Sequence, residues 1–303
     1  MRHSILCLLL FIMGAIAPPL YAYDLSRPLI DIDSFITDGP GKDDIPAISR
    51  PVFGTAEAAA PVEDDDLVIG VVLNGEARAY PLDILNWHEV VNDSMQGDHI
   101  AVTWCPLTRS AIVFDRTVDG EVLSFGVTGR LYRNNLVMYD RTTDGLWPQL
   151  WSGAVTGRFS GRKLEIIPSR LTSWAIWKRT YAASLVLTRK TGVQRPYDRD
   201  PCAQYQKSPD LIFPLQAQDR DGRWPLKGLV LGVIIHGVDK AYPLSQLDDT
   251  SQPYGDTLGG IRILIHKDTG KTAHATDEQG ALVPAYVVCW FGWSVFHRNT
   301  FID

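Results

Sequence analysis

Two short stretches concentrate the residues that could do chemistry. Asn86–Asp93 reads NWHEVVND and groups the imidazole of His88 with the carboxyls of Glu89 and Asp93. Thr103–Arg116 reads TWCPLTRSAIVFDR and sets Cys105 where a β-branched and aromatic run stops at Pro106. A thiol at a sheet rim, followed by the hydroxyls of Thr108 and Ser110, can serve as a metal ligand or as a nucleophile. Its reactivity requires a neighbouring cation to lower its pKa, and His88, Arg109 and Arg116 are the candidates by content.

The chemistry these residue types suggest is a site built on Cys105 and His88. Glu89 or Asp93 would carry a proton or orient a ligand from behind. With His297 as a third ligand, such a set suits copper or zinc. The segment HEVVN falls one residue short of the zinc-protease helix motif, because Asn92 stands where the second histidine must be, and that reading is rejected. No G-x-S-x-G elbow, G-x-x-x-x-G-K phosphate loop or C-x-x-C pair occurs. Asp219-Arg220-Asp221-Gly222 resembles part of a calcium loop but lacks the later carboxylate, and it reads as a surface turn.

A third stretch, Phe125–Trp151, carries Arg130, Tyr132, Asn135, Tyr139, Asp140 and Arg141 between glycine turns. On a strand, Asn135, Val137 and Tyr139 would share one face and Leu136, Met138 and Asp140 the other. Arg116, Tyr139 and Arg141 are the candidates to hold a bound small molecule, while Asp140–Arg141 reads equally well as a structural ion pair.

The elements that must position these residues are announced by an internal repeat. Val68–Leu82 (VIGVVLNGEARAYPL) returns as Val230–Leu244 (VLGVIIHGVDKAYPL), with eight of fifteen positions identical. A constant spacing of 162 residues then carries Gly97 over Gly259. Each copy reads as a hairpin turning at Asn74-Gly75 or His236-Gly237. Further strands are expected over 100–105, 111–116, 122–127, 136–141, 163–168 and 185–188. Short helices are expected over 82–87 and from Thr172, with Trp174, Trp177 and Tyr181 at helical spacing.

The fold expected is therefore mainly β, with two diverged β-rich repeat lobes and a few short helices. The first lobe would span 67–188 and the second, shorter one 226–303, joined by an irregular connection over 189–225 and preceded by an irregular arm over 23–66. The acidic run Glu63–Asp66 reads as a solvated lead-in. The aromatic cluster Cys289–Phe301 reads as core or as a seam between copies. His88, Glu89, Asp93 and Cys105 find no like-for-like match in the second copy, so they need a reason apart from the shared fold.

Residues 1–22 combine Arg2, an apolar run and the small-residue pattern ending at Ala22, as in a secretory signal peptide. A periplasmic or secreted location is expected, with no membrane span after cleavage. A formal charge of −6 without Lys/Arg clusters argues against a nucleic-acid partner. Three cysteines would remain, an odd number in an oxidising compartment, and a Cys202–Cys289 bridge is one option.

Taken in order, KDDIPAI, NGEARAYPL, WHEVVND, TWCPLT, FGVTGRLY, NNLVMYDR and WFGWSVF resemble the Domain-of-Unknown-Function 3179 family, from about Asp38 to the C-terminus. The family's Cys-Pro-Leu and His-Glu-(Ile/Val)-Val-Asn-Asp elements fall on Cys105–Leu107 and His88–Asp93. Cys289 stands where the resemblance implies an aromatic. The resemblance implies no chemistry. Two readings stay open: a metal- or thiol-dependent site on Cys105 and His88, or a non-catalytic binding or interaction module in which these residues are structural.

Overall fold

Alternation of β-branched residues with an Asn-Gly turn builds the first hairpin, Leu67–Leu73 and Glu76–Pro81. Asn74 and Gly75 both have positive φ, at 49° and 81°, the twist a two-residue hairpin turn requires. His236 and Gly237 repeat this at 51° and 77° between Leu229–Ile235 and Val238–Pro243. The computed structural model describes residues 23–56, 62–248 and 252–302. The leader read at 1–22 lies outside the described residues.

Strand accounts for 41% and helix for 13%, which makes the chain mainly β. The first hairpin lies in a five-stranded sheet ordered Ser169–Ser173, Leu67–Leu73, Glu76–Pro81, Leu185–Leu187, Phe53–Gly54. The second lies in a four-stranded sheet ordered Ala285–Cys289, Leu229–Ile235, Val238–Pro243, Phe301–Ile302. In both, the hairpin pairs antiparallel on one side and parallel on the other.

Short helices join these strands. Helix α1 (Leu82–His88) follows the first hairpin, and α2 (Trp174–Thr180) joins the edge strand Ser169–Ser173 to Leu185–Leu187 on the far side of that hairpin. Helix α3 (Ala203–Lys207) lies in the connection, and α4 (Trp290–Phe296) bridges the outer strands of the second sheet. Trp177 lies flat over Gly70 and Trp293 over Gly232; a Cβ on either glycine would sit 2.1 or 2.0 Å from the indole. The two indoles donate to Ser184 Oγ at 2.9 Å and Thr300 Oγ1 at 3.0 Å.

Two more antiparallel sheets pack against these. Val90–Met95, Asp98–Cys105 and Ser110–Asp115 form one, with Ile166–Ile167 at its edge; Tyr254–Leu258, Ile261–Thr269 and Thr272–Asp277 form the other. A further sheet, Phe35–Ile36, Phe125–Tyr132, Asn135–Asp140 and Leu146–Pro148, draws its edge strand from the amino-terminal arm. One apolar cluster joins Ile69, Tyr80 and Trp104 to Leu231, Tyr242 and Val287, so both copies contribute to a common interior. Each such side chain contributes roughly 1.5–3 kcal/mol through burial.

Several expectations shift by a few residues. Helix α2 begins at Trp174 because Ser173 caps it, accepting from the Ile176 N–H. The strand read over 122–127 is interrupted: Leu123 donates to Arg116 and Ser124 accepts from Arg141, so pairing resumes at Phe125. The strand read over 163–168 shortens to Ile166–Ile167. All three described cysteines are free, so Cys202 and Cys289 form no bridge.

Candidate functional site

Cys105 closes the strand Asp98–Cys105, and the tight return Pro106–Arg109 brings the chain back at Ser110. Arg109 takes a left-handed conformation, φ 54°, to make that return. Behind the turn lies a sealed polar network. Gln149 Nε2 donates to Thr103 Oγ1 at 2.8 Å, and Gln149 Oε1 accepts from Ser110 Oγ at 2.6 Å and Asn135 Nδ2 at 2.9 Å. Asn135 Nδ2 reaches Thr108 Oγ1 at 3.2 Å, and its Oδ1 accepts from the Leu150 N–H at 2.9 Å. Every member is buried, and such a network fixes geometry only when fully satisfied, as here. It holds the Cys105 turn from the inside.

The thiol itself accepts the Leu136 N–H at 3.4 Å and is 1% exposed. Burial pushes its pKa up, and the Glu89 charge pushes it further. Glu89 ends helix α1 as its C-cap with φ 56°, a strained setting for a non-glycine residue. Its partly exposed carboxyl makes no hydrogen bond or ion pair among the described residues. Desolvation raises it to about 8, so it holds its proton at neutral pH. Its charge also reaches Cys202, which burial, then Asp200 and Glu89, push up to about 12. Cys289, likewise raised to about 12 by burial, feels Cys105 and donates its backbone N–H to Thr108 O at 2.8 Å. Glu89 and the three thiols thus gather around one turn.

His88 does not face this group. Its Nδ1 lies 2.6 Å from the Pro46 carbonyl and must donate to it, which leaves Nε2 to accept from Tyr197 OH at 2.8 Å. Both nitrogens are engaged, and burial lowers the ring's pKa, keeping it neutral. His297 is engaged elsewhere, 2.7 Å from Asp239 and 3.1 Å from Tyr286, and it stacks on Trp293. Among the described residues, no three His, Cys, Asp or Glu side chains converge to hold a metal ion.

Asp93 also belongs to another network. It accepts from Arg78 and Tyr80, both at 2.6 Å, while Arg116 donates to its carbonyl. The second copy has the counterpart that the repeat alignment lacks: Asp256 accepts from Lys240 at 2.8 Å and Tyr242 at 2.7 Å. Asp93 is thereby explained by architecture common to both hairpins. Tyr139 and Arg141 meet around Asp43 from the amino-terminal arm, and Asp140 instead accepts from Thr143 and Trp147. The Asp140–Arg141 ion pair does not form. Asn92, in the place of a second histidine, mimics a strand by bonding both backbone groups of Phe125.

Two cavities of about 530 and 390 Å³ flank the turn and share Arg109, Asp200, Gln206 and Lys271 as lining. The connection closes over them. Trp87 Nε1 donates to Arg199 O, Tyr205 OH to Leu107 O and Arg109 to Gln206 Oε1.

With that geometry in place, the wider comparison decides the family. The family described as Protein of unknown function (DUF3179) matches residues 42–283. The chain belongs to the DUF3179 family. No curated protein and no solved structure matches the chain. The DUF3179 match takes in Glu89, Cys105, Arg109, Asn135 and Gln149 but ends before Cys289 and WFGWSVF, so the resemblance reaches less far than its motifs suggest. The residue types and spacings do not single out Gln149 or Lys227. A glutamine inside the apolar run LWPQLW is the available signal for the first; the second has none.

Proposed function

We propose that this chain is an exported DUF3179 protein whose centre is a proton-carrying carboxyl, Glu89, set beside the thiol of Cys105. The support for export is the amino-terminal pattern alone. One observation carries the centre: Glu89 lies next to Cys105 on a left-handed residue, with no hydrogen bond or ion pair among the described residues. A carboxylic acid that keeps its proton at neutral pH can donate it to a bound group, and accept it back above its pKa. Cys105 supplies a protonated thiol at the same place, and the buried network fixes the turn that carries it. His88 then supports the structure by tying Pro46 to Tyr197.

The test is a carbon-13 NMR titration of glutamate carboxyls in the wild type and in Glu89→Gln. A carboxyl titrating near 8, absent from the variant, is the expected result. Loss of that charge should also speed alkylation of Cys105 by iodoacetamide at pH 9. If every glutamate titrates in its ordinary range, the centre does not exist. A second reading, a binding module with a structural cysteine, is favoured by the hydrogen bond from Leu136 to the Cys105 sulfur. Alkylation that never occurs without denaturant would select it.

A further inference from the structure

We propose that the smaller of the two cavities is a binding site for a small organic anion, an apolar body bearing a carboxylate or phosphate headgroup. Arg109, Lys207, Lys227 and Lys271 line it against the single carboxylate of Asp200. None of the four cations forms an ion pair among the described residues, on a chain whose formal charge is −6. A cavity with four cations against one lining carboxylate, on an acidic protein, draws an anion out of solvent.

The two inner cations are built in. Arg109 enters from the rigid Cys105 turn; one terminal nitrogen donates to Gln206 at 2.7 Å, and its Nε is buried without a partner. A buried donor left unsatisfied is costly, and a ligand oxygen would relieve it. Lys227 donates to the carbonyls of Tyr205 at 2.6 Å and Ser208 at 2.8 Å and sits over the Tyr205 ring. Those partners are neutral, so its charge and third N–H remain for a ligand. Lys207 and Lys271 are exposed at the mouth.

The rest of the wall is mostly apolar, with Leu107, Leu229, Ala203 and the Tyr205 ring beside Gln206 and Cys289. A volume of about 390 Å³ falls within the range of small-molecule sites. Inorganic phosphate alone would leave the apolar wall uncovered. Part of the wall, α3, comes from the connection.

The probes are octanoate, octyl phosphate and the neutral octanamide, measured by titration calorimetry on the mature chain. Octanoate or octyl phosphate should bind at one site, and octanamide at least about tenfold more weakly, since a charge-assisted hydrogen bond is the discriminating contact. Arg109→Gln should weaken the anion about thirtyfold, from a hydrogen bond to a charged group. If that variant fails to fold, the double variant Lys207→Glu/Lys271→Glu, both exposed positions, should still weaken it several-fold at low salt. Equal binding of octanamide and octanoate would overturn the proposal, as would unchanged affinity in a folded variant. The relative strength of the two anions tells carboxylate from phosphate. Binding is read without reference to Glu89, so this site and the proton-carrying centre can fail separately.

Discussion

The hairpin at Val68 and the hairpin at Val230 use the same parts to hold themselves, yet only the first is followed by the Cys105 turn. Each sets an indole flat on a glycine and anchors it to a hydroxyl. Each ties a tyrosine and a cation to one aspartate from the neighbouring sheet. What the first region adds is the Cys-Pro-Leu-Thr turn, the buried Gln149 network and the unpaired carboxyl of Glu89. Where two regions share a device, the device serves the fold; where one stands alone, function is the reason to look for.

The sharpest way to break this comparison is at the glycines. Gly70→Ala and Gly232→Ala each place a methyl inside an indole, and each should cost more than about 3 kcal/mol in chemical denaturation. A harmless Gly232→Ala would mean that the two contacts are not equivalent.

The aspartates should separate the copies by degree. Asp93 is 6% exposed beside a 13% exposed Arg78, whereas Asp256 is 22% exposed beside Lys240. Asp93→Ala leaves the largely buried Arg78 with Glu76 as its one remaining carboxylate and takes the carboxylate from the buried Tyr80 hydroxyl, and should cost about 3 kcal/mol, Asp256→Ala only about 1 kcal/mol. Equal losses would contradict the burial difference.

Much of this architecture is legible in the residues, because period-two apolar patterning and Asn-Gly turns act locally. The hairpins, α1 and the strand ending at Cys105 fall where those signals put them. The site is legible only in part. Glu89 and Cys105 stand out by type and do lie together, but His88 joins them only through sequence proximity. A helix C-cap at Glu89 reverses the chain, and the imidazole points to the connection instead. Asp93 looks like an addition in the sequence because its counterpart sits one residue out of the 162 spacing. Arg109 reads there only as an aid to the thiol; its cavity depends on a connection with no periodic signal.

The buried network is the next smaller test of what is peculiar to the first region. Gln149→Ala takes one buried hydrogen-bond partner from each of Asn135, Ser110 and Thr103 in a site closed to water. It should cost about 2–3 kcal/mol and loosen the Cys105 turn, read as faster amide exchange at Leu107–Ser110. A loss of stability without that local loosening would detach the network from the turn.

Glu89 gives the smallest effect and the most particular one, because it changes with pH. Its carboxyl rises from 4.5 in the unfolded chain to about 8 when folded. Between those values the folded state keeps a proton that the unfolded state has released. The Glu89 contribution to stability is therefore complete below about 4.5, declines as pH rises toward 8, and is level beyond. A tenfold change in acidity corresponds to about 1.4 kcal/mol, and partial exposure of the carboxyl reduces the total to about 2 kcal/mol. Glu89→Gln removes the titrating proton, so its stability should be flatter across that window and about 2 kcal/mol higher than wild type at pH 9. Urea denaturation at pH 5, 7 and 9 measures both slopes. Parallel slopes would place the Glu89 carboxyl in water, and the first region would then differ from the second in packing alone.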